Sequence, residues 1–96
     1  MIPDLITADE LARIEAKADS LISTARGTIA LDPEDTTIAV FIRTIQMLEE
    51  LHATHDVTAD RLRATGAVAP AAHHVKLANY ARQIRAERLL MLEFLL

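Results

Sequence analysis

The chain has 96 residues and a net charge of −4, with 51% apolar residues but only three aromatic ones, Phe41, Tyr80 and Phe94. It has no cysteine, which excludes disulfides, thiol catalysis and cysteine metal knuckles, and its two glycines and three prolines are too few turn residues for a sheet of many hairpins. A chain of this length buries roughly 60–70% of its unfolded surface, enough for one core, which must be built from Leu, Ile, Val, Met and Ala.

The first predicted element opens at Thr7, an N-cap with Glu10 three residues on to complete a capping box, while Ile6 and Leu11 occupy the staple positions. Apolar residues then recur at Leu11, Ile14, Ala18, Leu21, Ile22 and Ala25 with helical spacing, and Gly27 has the character of a C′ residue. This predicts helix one over about 8–26. The preceding Met1-Ile2-Pro3-Asp4 lacks the basic and apolar regions of a secretory leader, and the default compartment is the cytoplasm.

Asp32 as N-cap, Pro33 at the first helical position and Glu34 and Asp35 in the first turn predict the start of helix two. Ile38, Phe41, Ile42, Ile45, Leu48 and Leu51 form its expected buried face, with Val40 and Met47 nearly opposite. A helix apolar on more than one side is usually sandwiched between neighbours, so helix two is read as the central element. No Gly or Pro interrupts 34–65, which favours one helix over 33–65, bent near 56. If Asp56 instead caps a short helix, the bundle has four helices. A continuous helix of about 50 Å would overhang a three-helix domain and would need partner contacts.

Gly66-Ala67-Val68-Ala69-Pro70 reads as a breaker, and helix three as 71–96. Leu77, Ile84 and Met91 recur by sevens along it. Its last eight residues are apolar around the whole circumference except at Glu93. Seven large apolar side chains on one helix cannot all face one core, so Leu89, Leu90, Met91, Leu92, Phe94, Leu95 and Leu96 are expected to supply an interface. The run is far shorter than the ~20 residues of a membrane span.

The fold expectation is thus an all-α, three-helix antiparallel bundle that assembles with itself or another protein. Charge adds to this: residues 1–56 carry eleven acids and four bases, residues 57–96 three acids and six bases, so the two halves should attract.

Two chemistries compete with plain association. Glu49, His52, His55 and Asp56 lie on one side of a continuous helix two, and Glu-x-x-His is the spacing that aims a carboxylate and an imidazole at one metal in ferritin-like bundles. A dimer would duplicate Glu49 and His52, with Asp19 or Glu15 adding carboxylates. The competing reading is a polar layer in which the histidines pair with acids, and it implies no cofactor. Residues 57–88 also suggest a helix-turn-helix regulator of DNA, with Leu62, Gly66 and Val75 as its frame and Arg61, Arg63, Lys76, Arg82 and Arg85 on phosphates. Its reading helix would offer few donors for base edges. Adjacent His73 and His74 point about 100° apart and read as solvated surface.

The segment Thr7-Ala8-Asp9-Glu10-Leu11-Ala12-Arg13-Ile14-Glu15-Ala16-Lys17-Ala18-Asp19 resembles the start of small helical proteins of actinobacterial phages and their hosts. Eight Arg against two Lys suit such a GC-rich source. The resemblance implies no activity and no site residue. A non-enzymatic protein acting through protein–protein contact is the function expected from the residues.

Overall fold

The computed structural model describes residues 6–96, which form three helices in the order α1 (Ala8–Leu31), α2 (Thr37–Ala64) and α3 (Val68–Leu95). The leader-like test applied to Met1–Asp4 falls outside the described residues. No strand occurs among the described residues, and none of the helices is long and apolar enough to cross a membrane.

Helix α1 starts where the capping pattern puts it, with the Glu10 amide donating to Thr7 Oγ1 at 3.3 Å. It does not stop at Gly27. That glycine keeps helical φ, and the helix runs one more turn to Leu31, where the Asp32 amide donates to Thr28 O. The reason is packing: Ile29 lies against the core beyond the glycine, and its burial outweighs the C-capping preference of Gly27. A glycine in a helix interior costs about 0.5–1 kcal/mol relative to alanine, and no atom lies within 4 Å of a Cβ built at Gly27. Gly27→Ala should therefore raise the urea midpoint by the equivalent of about 0.5–1 kcal/mol. A lowered midpoint would show that the helix ends there after all.

Helix α2 begins four residues later than Asp32-Pro33 suggests. Asp32 is used as the C-cap of α1, Pro33 lies in the turn, and the capping carboxylate is Asp35, whose Oδ1 accepts from the Thr37 amide at 2.9 Å. These hydrogen bonds hold the Asp35 carboxyl below its ordinary range. No break occurs at Asp56, which pairs with His52 one turn back instead of capping a new helix, so the four-helix alternative is corrected to three.

The α2–α3 turn is tighter than the breaker reading allowed. Gly66, at φ +80°, takes the left-handed position, its amide donates to Arg63 O, and the Ala67 amide reaches Leu62 O at 2.9 Å. This paired pattern closes α2 and sends the chain straight back. Helix α3 then starts at Val68, three residues before the expected start. Pro70 falls in its first turn, where a proline leaves no intrahelical hydrogen bond unmade.

The result is a long antiparallel α2–α3 hairpin in a molecule of 52 × 25 × 22 Å, with α1 packed on one side of it. The main core joins Leu11, Ile14 and Ala18 of α1 to Ile42 and Ile45 of α2 and Leu89 and Leu92 of α3. Ile14, Ile45, Leu89 and Leu92 are fully enclosed, each contributing roughly 1.5–3 kcal/mol. Toward the turn the hairpin is sealed differently, by small side chains: Ala59 on α2 and Ala71, Ala78 and Ala81 on α3 are all buried. Alanines at a helix contact let two backbones approach closely, so this end needs no third helix to enclose it.

Candidate functional site

Helix α2 is covered on one side only. Gln46 and Glu49 look onto α1, lining a groove with Asp19, Ile22, Ser23 and Arg26. About 150° around the axis, by the 100° step per residue, stand Val40, Met47 and Leu51, which are 59%, 53% and 42% exposed. The sandwich expected for helix two therefore lacks one layer. The same outward stripe contains Thr44, Thr54 and Thr58. The Thr44 hydroxyl donates to Val40 O at 3.0 Å and that of Thr58 to Thr54 O at 2.9 Å. With their hydroxyls tied to the helix backbone, these two threonines turn their methyl groups outward and keep the stripe apolar.

The neighbouring face of α3 continues it. Tyr80 and Met91 are about half exposed, with Leu77 and Ile84 partly covered between and beside them. The heptad of Leu77, Ile84 and Met91 thus marks the rim of the open face, while Ala78, Ala81, Ala86, Leu89 and Leu92 make the buried face of α3. Near the carboxyl end the two helices form an open apolar cavity of about 420 Å³, lined by Phe41, Leu90, Met91, Phe94 and Leu95 with Thr37 and Glu87 beside them.

The seven-residue apolar tail is therefore divided. Leu89 and Leu92 lie fully inside the chain's own core and Leu90 packs against it, which corrects their assignment to an interface. Met91, Leu95 and Leu96 are half exposed, and Phe94 is 90% exposed. A helix can bury only one side on a single hairpin, so the alternation follows from its 3.6-residue pitch.

The polar residues singled out by their spacing do not meet at a point. Glu49 approaches Arg85 Nη2 at 3.7 Å, His52 Nε2 lies 3.0 Å from Asp56 Oδ2, and His55 turns instead to His74. No three His, Cys, Asp or Glu side chains converge among the described residues, so Glu49, His52, His55 and Asp56 of one chain do not by themselves make the metal site their spacing suggests. Asp19 and Glu15 add nothing to it: Asp19 lines the α1–α2 groove, and Glu15 is taken by Arg82. The contact missed by spacing is His55–His74, Nδ1 to Nδ1 at 2.9 Å, one ring donating and the other accepting. Only the antiparallel return at Gly66 places α3 His74 against α2. His73 is exposed, as read from its position, but His74 is half-buried.

The nucleic-acid reading fares no better geometrically. The two helices that should cross at a steep angle run antiparallel along each other instead, which is not helix-turn-helix geometry. Of its cations, Arg82, Arg85 and Arg63 are engaged with Glu15, Glu49 and Asp60, leaving Arg61 and Lys76 as exposed side chains.

The expected attraction between the halves is visible in Arg82–Glu15 and Arg85–Glu49. Arg82 Nε donates to Glu15 Oε2 at 2.8 Å and its Nη2 reaches Oε1, a two-pronged contact joining α3 to α1. Either side of Glu15 on α1, Arg13 and Lys17 both donate to Glu93, nearer the carboxyl end of α3. Hydrogen bonding from Arg82 holds the Glu15 carboxyl below the ordinary glutamate range despite partial desolvation. A depressed carboxyl stabilises the fold above its unfolded pKa, and that contribution disappears as pH falls through the lower folded value. Glu15→Gln should cost about 0.5–1 kcal/mol near neutrality, since the pair is partly solvated, and nothing once pH is below the folded value. Urea titrations of both proteins at neutral and strongly acid pH measure this; a pH-independent gap would show the ion pair is not its source.

No family model, no curated protein and no solved structure matches the chain.

Proposed function

We propose that this chain is a non-enzymatic helical protein that works by docking onto protein through the open face of the α2–α3 hairpin. One observation carries the reading: Val40, Met47 and Leu51 are all exposed, by 42–59%, in a row on a helix whose opposite side is packed. Single exposed apolar residues are ordinary, but an apolar row rimmed by polar residues and continued by Tyr80 and Met91 is a binding surface. The resting place of the tail fits it, since Phe94 and Leu95 extend the same apolar area around the cavity at the carboxyl end.

The test compares the wild-type chain with Met47→Glu/Leu51→Glu. Both substitutions lie on exposed positions, so circular dichroism and the urea midpoint should stay close to wild type. Adsorption of a hydrophobic dye and retention on immobilised candidate partners, a second copy included, should fall sharply. If the variant keeps every association of the parent, the open face is not where the protein works.

A further inference from the structure

Resting on that reading, we infer that the occupant of the open face is a second copy of this chain, packed α2 against α2 in antiparallel register centred on Met47. Along α2 the outward residues Val40, Thr44, Met47, Leu51, Thr54 and Thr58 alternate steps of four and three without interruption. Val40, Met47 and Thr54, and likewise Thr44, Leu51 and Thr58, are seven apart, the heptad relation of a two-helix coiled-coil seam with its large apolar residues at the centre. The residues just beside the seam on the side away from α3 are Arg43 and Glu50, seven apart and therefore in equivalent positions. Both are exposed, and neither has an ion-pair partner among the described residues.

In an antiparallel pair such equivalent flanking positions face each other across the seam. With Met47 on the two-fold axis, Val40 meets Thr54 of the second copy and Thr44 lies beside Leu51 of the second copy. In the same register Arg43 meets Glu50 of the second copy, and Glu50 meets its Arg43. Packing and charge thus select one alignment. A parallel pair would carry the Arg43–Glu50 flanks of the two copies to opposite sides of the seam, so this charge pairing is available only to the antiparallel one. The arrangement is isologous and closed, so it stops at two copies. It also sets the two hairpins face to face as a four-helix core, with Tyr80 and Ile84 at the border of the seam.

The chain lacks cysteine, so single cysteines report alignment directly. Full-length Met47→Cys should oxidise to a covalent dimer. Val40→Cys alone should not, because its mate would lie about 20 Å away along the antiparallel partner, whereas an equimolar mixture of Val40→Cys and Thr54→Cys should link. Sedimentation of the uncross-linked proteins gives the energetics. Arg43→Glu and Glu50→Arg should each raise the dimer dissociation constant about ten-fold, and the double exchange should restore it to near the parent value.

Self-linking of Val40→Cys would overturn the antiparallel register, and so would failure of the double exchange to restore affinity. A wild-type chain that stays monomeric at every accessible concentration would overturn the second copy as occupant. In that case, loss of partner retention in Met47→Glu/Leu51→Glu would still support docking of a different protein, so the two failures are separable.

Discussion

Leu89→Ala is expected to lower the unfolding free energy by about 2–5 kcal/mol, and Phe94→Ala to leave it within about 0.5 kcal/mol. Both residues belong to the same apolar tail, and by composition they are interchangeable contributors to it. Leu89 is wholly enclosed among residues of all three helices, so truncation removes its transfer energy and leaves a cavity that Ile14, Ile45 and Leu92 cannot fill without moving. Phe94 is 90% exposed, and its ring loses little when the chain unfolds. In a domain of this size the first change corresponds to a fall of well over about 8 °C in Tm, the second to almost none. Thermal and urea unfolding at one protein concentration decide it, the concentration being fixed because any association adds to apparent stability. Equal losses from the two variants would mean that the tail is not divided as described.

Ala78→Leu is expected to destabilise the fold by about 1–3 kcal/mol or more, although leucine is nearly as good a helix former as alanine. Ala78 is fully buried where α3 meets α2 without help from α1, in company with Ala59 and Ala71. A leucine there must push the helices apart, and the displaced backbones would also lose the His55–His74 contact nearby. Ala53→Leu on the exposed side of α2 adds the same atoms where they meet nothing, and should be within about 0.5 kcal/mol of wild type. Hydrogen exchange of amides in 55–80 gives a local readout: faster exchange confined to that half in Ala78→Leu is the expected pattern. Identical stability of the two leucine variants would refute close packing at the alanine seam.

Much of the architecture was readable from residue order because it rests on local rules. The Thr7 cap, the Leu11–Ile14–Ala18 stripe, the absence of a breaker in α2 and the turn at Gly66 each depend on a few adjacent side chains and their own backbone. Element ends were less legible where two rules competed. Gly27 signals a stop, but burial of Ile29 two residues later overrides it. Asp32-Pro33 signals a start, but Asp32 is already committed to closing α1, so Asp35 takes the capping role. Of the candidate interaction surface, the doubled apolar character of helix two was legible through Val40 and Met47. The emphasis on Leu89 and Leu92 was misplaced, because periodicity cannot tell which side of an all-apolar helix meets its own core.

By itself, then, the order of amino acids determined an all-helical chain of three elements, a core of aliphatic side chains, and an excess of apolar surface over what such a bundle hides. Periodicity and capping are short-range and leave their mark in neighbouring residues. Only the tertiary structure decided which apolar residues stay outside, that Glu49, His52 and His55 each turn to a different partner, and that α2 and α3 form a close-packed antiparallel hairpin. Those outcomes depend on how far α1 reaches along the hairpin and on which side it settles. These are long-range choices, made by the summed burial of many side chains rather than by any local pattern.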